Sequence, residues 1–116
     1  MQNSKQYDLE KRTLEFARNV RIFIGKLSKT VGNIEDGKQL VRSSGSVGAN
    51  YIEANESLSK KDFIMRIKIC RKEAKESCFW LNLVVPIKEQ EATQSKLLDE
   101  STQLTKIFGA ILEKTK

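Results

Sequence analysis

The chain has 116 residues, 21 basic against 15 acidic side chains and no histidine, for a net charge of +6 and a pI near 9.4. That length carries one core and no second independent one. Without histidine the usual general base at neutral pH and the commonest metal ligand are absent, so hydrolase and metalloenzyme readings weaken at once.

The breaks define the architecture. One proline, Pro86, and six glycines leave most of the chain free to be helical. From Leu9 the positions Leu9, Thr13, Phe16, Val20, Phe23, Leu27 and Val31 follow an a/d stripe, which predicts a first helix over about 8–31. Gly32 and Asn33 are expected to end it, with Asn33 capping a second helix, about 34–56, whose first turn holds Glu35 and Asp36. Ser59 is the expected N-cap of a third helix, about 60–85, which Pro86 stops or kinks. Residues 88–95 read as loop or as a weakly anchored start of a fourth helix, about 93–114, with Leu97, Leu104, Phe108 and Ile111 on one face. No alternating run of strand length occurs, so the fold class is all-α: one domain over 1–116, an antiparallel up-and-down four-helix bundle.

The second helix is the unusual one, since its interior holds Ser43, Ser44, Gly45, Ser46, Gly48 and Asn50. Each interior glycine costs up to about 1 kcal/mol against alanine. A helical projection still places Leu40, Val47, Tyr51, Ala54 and Leu58 on one strip, with Val41, Gly45, Gly48 and Ile52 beside it. Gly45 and Gly48 would let a neighbouring helix approach closely. Opposite lies a polar strip, Arg42, Ser46, Asn50 and Glu53, which is either a mediocre exposed face or a hydrogen-bonded seam with another helix or another subunit. Arg42 and Glu53 stand about 16 Å apart along one helix and need partners elsewhere.

The third helix carries the charge. Residues 60–75 hold seven basic against two acidic side chains, and Lys61, Lys68, Arg71, Lys72 and Lys75 fall on one arc opposite Phe63, Ile67, Cys70, Ala74 and Leu81. Such a stripe either keeps a helix soluble or neutralises phosphates and releases their counterions. Arg18 and Arg21 of the first helix are expected to support it. Ile69, Glu73, Glu76 and Trp80 form a flank, with Trp80 at a subunit interface or covering the bundle's end, and Glu73 or Glu76 available to Arg42.

Chemistry is sparse. Glu73 and Glu76 lack the histidines of a di-iron bundle, and Gly45, Ser46 and Gly48 lack the Gly-Lys-Ser ending of a phosphate loop. No catalytic residue, metal ligand or cofactor is expected. Cys70 and Cys78 lie about 12 Å apart on one helix, too far to bridge, and read as reduced thiols. With no apolar run of roughly 18 residues and no signal-peptide core in MQNSKQYDLEKR, the expectation is a soluble cytoplasmic protein with no membrane contact.

Three motifs then carry a resemblance: Arg42, Ser43, Ser46, Asn50 and Glu53; Ser59, Lys60, Lys61, Asp62 and Phe63; and Glu73, Ala74, Glu76, Trp80 and Leu81. Between Leu40 and Leu81 the chain resembles the bacterial four-helix-bundle family first known from intervening sequences of 23S ribosomal RNA genes. That family includes the accessory variability determinant of diversity-generating retroelements. The resemblance implies a homopentamer with basic surfaces and, for the retroelement members, binding of nucleic acid and of a reverse transcriptase, while the intervening-sequence members have no settled activity; the basic stripe adds the expectation that RNA or DNA is held through phosphate contacts. The alternative expectation is a protein-interaction scaffold or adaptor that does not itself touch nucleic acid.

Overall fold

The computed structural model describes residues 4–116, with side chains from Asp8 onward; the reading of the first three residues lies outside the described part. Four helices follow one another: α1 Ser4–Gly25, α2 Val31–Asn55, α3 Lys60–Leu83 and α4 Glu91–Lys114, the last preceded by a single 3-10 turn at Lys88–Gln90. Each helix packs on its sequence neighbour, α1 lies more lightly on α4, and the bundle measures 44 × 23 × 20 Å.

The first break sits earlier than Gly32 and Asn33. α1 ends at Gly25, and Thr30 rather than Asn33 caps α2, its extended backbone letting Oγ1 accept from Asn33 N at 3.1 Å. None of the glycines adopts a positive φ, so Gly32 supplies no turn and enters the first turn of α2. Val31, expected in the core, is 82% exposed, and no acidic residue lies in the first turn. Asn33 has a different task. Its side chain donates to Ser28 O and Val85 O and accepts from Val85 N, tying the first connection to the end of α3.

The second break falls as expected, with Ser59 Oγ accepting from Asp62 N at 3.1 Å. Leu58 belongs to that connection and is 98% exposed, so it leaves the strip assigned to it. α3 stops at Leu83, and Val84, two residues before Pro86, turns extended.

Leu9, Thr13, Phe16, Val20, Phe23 and Leu27 of α1 are buried together with Leu40, Val47, Tyr51 and Ala54 of α2. Ile67, Cys70, Ala74 and Leu81 of α3 and Leu97, Leu104 and Phe108 of α4 complete the core, with Phe63 and Ile111 half-buried at its edge. The core also contains a polar layer. Ser43 and Ser77 meet Oγ to Oγ at 2.9 Å between α2 and α3, and Cys78 Sγ meets Ser101 Oγ at 2.7 Å between α3 and α4. The small residues of α2 serve α1 as well: a Cβ added to Gly48 would stand 2.9 Å from Thr13 Oγ1, and one added to Gly45 would stand 3.1 Å from the Arg21 guanidinium.

Candidate nucleic-acid interface and helix seam

The polar strip of α2 is a seam with α3 of the same chain. Arg42 Nη1 donates to Glu73 Oε2 at 2.9 Å, and Arg42 Nη2 donates to Glu76 Oε2. Glu76 Oε2 also accepts from Trp80 Nε1 at 2.9 Å. Two turns further along α2, Asn50 donates to Ser46 O and Ser46 Oγ, both at 2.9 Å, while its carbonyl accepts from Arg66 Nη1 at 2.9 Å. Arg42, Glu73, Glu76 and Trp80 therefore form one clasp between α2 and α3, and Ser46, Asn50 and Arg66, which the sequence reading grouped with the other cations of its segment, form a second contact between the same two helices. Glu53 stays outside both: exposed, it joins no ion pair among the described residues.

Electrostatics follow from burial. Glu73 is 4% exposed, and a buried carboxylate needs a cation. Its hydrogen bond to Arg42 is the chief cause that raises the guanidinium pKa above its usual range. The Trp80 N–H, with Arg42 behind it, holds the Glu76 carboxyl below the usual carboxylate range. Burial pushes the Cys70 thiol up to about 12, so it stays neutral in the core.

The basic residues occupy the outer face of α3. Lys61, Lys68, Arg71, Lys72 and Lys75 are all exposed, and none takes part in an ion pair among the described residues. Arg71 leans toward α4, its Nε 3.7 Å from where a Cβ on Gly109 would stand. Arg18 and Arg21 are not neighbours of this face. They line the groove between α1 and α2, where Arg21 donates to Ala17 O and Val41 O. Helix order alone could have shown this, since in an up-and-down bundle the first and third helices are diagonal.

Two apolar features escaped the sequence reading. Phe79 is 58% exposed on α3 and meets Trp80 edge to face, centroids 4.9 Å apart and planes at 82°. At the bundle end where Asn33 meets Val85, the side chains of Val31, Leu83, Val85 and Ile87 are also exposed. Phe79 lies one turn beyond Lys75, so the helical projection that located the cations could have placed it with them. Among the described residues no helix is long and apolar enough to cross a membrane.

A protein of unknown function from the S23 ribosomal protein family of Bacteroides thetaiotaomicron VPI-5482 superposes with a TM-score of 0.79 at 30% identity, over 94% of this chain and 98% of that one. No curated protein matches. The model of the family described as 23S rRNA-intervening sequence protein matches residues 5–110, nearly the whole bundle, and the chain belongs to that family.

Proposed function

We propose that this chain is a non-enzymatic, cytoplasmic, homo-oligomeric bundle that binds RNA or DNA through phosphate contacts of α3. The observation that supports it is the outer face of α3, where Lys61, Lys68, Arg71, Lys72 and Lys75 stand exposed and without ion-pair partners among the described residues. A face meant only for solubility commonly interleaves both signs, whereas here the acidic residues of the helix are turned elsewhere. Glu73 is buried and Glu76 is engaged by Arg42. Arg18 and Arg21 form a second basic edge on the opposite side of the bundle, which would reach nucleic acid only if a strand wraps the molecule or a second subunit presents it. The resemblance stated above favours a pentamer, in which five basic faces would act together.

The test is light scattering on the purified protein, with and without a short RNA, at low and at physiological salt. The expected mass is near five chains and rises with RNA. Lys68→Glu with Lys72→Glu should weaken binding and flatten its salt dependence while leaving the helical circular dichroism intact. A monomer indifferent to RNA would overturn the reading.

The exposed Val31, Leu83, Val85 and Ile87 favour a second reading, a scaffold or adaptor for another protein such as a reverse transcriptase. In that case nucleic-acid affinity is feeble at physiological salt, and substituting these four residues, rather than the lysines, abolishes the partner contact.

A further inference from the structure

Phe79 stands seven residues beyond Lys72 and four beyond Lys75, two turns and one turn further along the same side of α3. Its ring is more than half exposed and adds little to the core, so packing does not account for it. The ring is nevertheless held in place. Trp80 braces it edge to face, Trp80 is fixed by its N–H bond to Glu76, and Glu76 is fixed by Arg42. No carboxylate of α3 opposes an anion there, since Glu73 is buried, Glu76 is engaged, and Asp62 lies at the far end of the helix beside Ser59.

We propose that α3 binds single-stranded nucleic acid, with a base stacked on Phe79 and the adjoining phosphates held by Lys68, Lys72 and Lys75. The inference rests on the nucleic-acid reading above and narrows its substrate. A duplex shows phosphates and groove edges and keeps its base faces covered, so it can use the lysines and has no use for an exposed ring. A single strand uncovers both, and a positive groove paired with an aromatic platform is how such strands are held without regard to sequence. Lys68 and Phe79 lie about 16 Å apart along the helix axis, room for a few nucleotides per chain.

The experiment is fluorescence anisotropy with labelled oligo-uridine, oligo-deoxythymidine and a duplex of equal length, at two salt concentrations. Both single strands are expected to bind more tightly than the duplex, and the two arms identify whether ribose or deoxyribose is preferred. Phe79→Ala should weaken single-strand binding roughly 5- to 100-fold, leave duplex binding unchanged and leave the salt slope intact, because it removes a stacking surface and no phosphate contact. Phe79→Leu, which keeps apolar bulk without a π face, should behave like alanine, and Phe79→Trp should retain binding. Lys72→Glu should weaken all three ligands. Equal affinity for single strand and duplex, with Phe79→Ala neutral, overturns the inference while the basic-face reading stands. No binding to any of the three overturns both. A drop in scattering mass for Phe79→Ala with unchanged affinity assigns the ring to a protein contact and also overturns it.

Discussion

A single guanidinium shows how a buried charge organises its surroundings. Arg42 is half exposed, yet it compensates Glu73, which is nearly sealed from water. Arg42→Ala therefore removes more than one surface ion pair, because it leaves a carboxylate desolvated with its cation gone. We expect a loss of about 2 kcal/mol in urea unfolding, against a few tenths for Lys38→Ala, whose bond to Glu35 is fully on the surface. Glu76 gives the same clasp a pH dependence. Its folded pKa lies below the unfolded value, so its contribution is complete above about pH 4.3 and is lost as the pH falls through the folded pKa. Wild-type stability should fall on acidification below that point, and the fall should be shallower in Glu76→Gln and in Trp80→Phe, read as urea midpoints between pH 3 and 6. Arg42, Ser46, Asn50, Glu73, Glu76 and Trp80 were legible in the sequence as groups that need partners. The pairing of Arg42 with Glu73 or Glu76 was legible too, but not that it closes within one chain, because periodicity gives the face of a residue and leaves the rotation of the neighbouring helix open. Arg66 was hidden for a related reason: in a basic segment one cation that turns inward looks like the rest.

Helix α2 shows the same limit among whole elements. Its apolar strip outweighed poor propensity, and the sequence reading of a helix with closely approached glycines holds in the structure. The two glycines are nonetheless not equivalent. At Gly48 an added Cβ would meet Thr13 Oγ1 at 2.9 Å and Thr13 Cβ at 3.2 Å, atoms locked in the facing helix by a bond from Thr13 Oγ1 to Leu9 O. At Gly45 it would meet only the end of the flexible Arg21 side chain. Gly48→Ala should destabilise by about 1–2 kcal/mol, since overpacking exceeds the gain in propensity, whereas Gly45→Ala should stabilise by up to about 1 kcal/mol as Arg21 moves aside. Paired denaturation curves check both signs. The misplaced first break has a local cause too. Gly-Asn at 32–33 resembles a stop and a cap, but Thr30 is an equally good cap two residues after Ser28, and Asn33 gains three bonds to Ser28 and Val85 by standing inside the helix. Val85 is distant in sequence, which no local signal could show.

In the molecule as a whole, charge and packing are both unevenly distributed. The first 75 residues hold 16 basic against 9 acidic side chains and the remainder 5 against 6, so α4 is the neutral side of a cationic bundle. That distribution was readable from composition, and so was the all-α class, while the placing of Arg18 and Arg21 away from α3 required the topology. Packing is uneven in a different way. α2, α3 and α4 are joined broadly, but α1 meets α4 lightly, and the described links between them include Arg12 with Glu100 at 2.7 Å and with Gln103 at 2.9 Å. A cavity of about 550 Å³, lined by Leu9, Tyr51, Phe63 and Ile107 among others, opens beside the same contact. The first helix should then detach before the other three. Amide protons of α1 are expected to exchange with deuterium at a lower opening free energy than those buried in α3, and Arg12→Ala should speed exchange in α1 while leaving α3 unaltered. Each such opening takes Phe16, Val20 and Phe23 out of the core and uncovers to water, for its duration, the apolar surface they pack against. A trimmed protein starting after residue 26 would carry that bare apolar wall permanently and should clump, so the first helix acts as the shutter that keeps the remaining three dispersed.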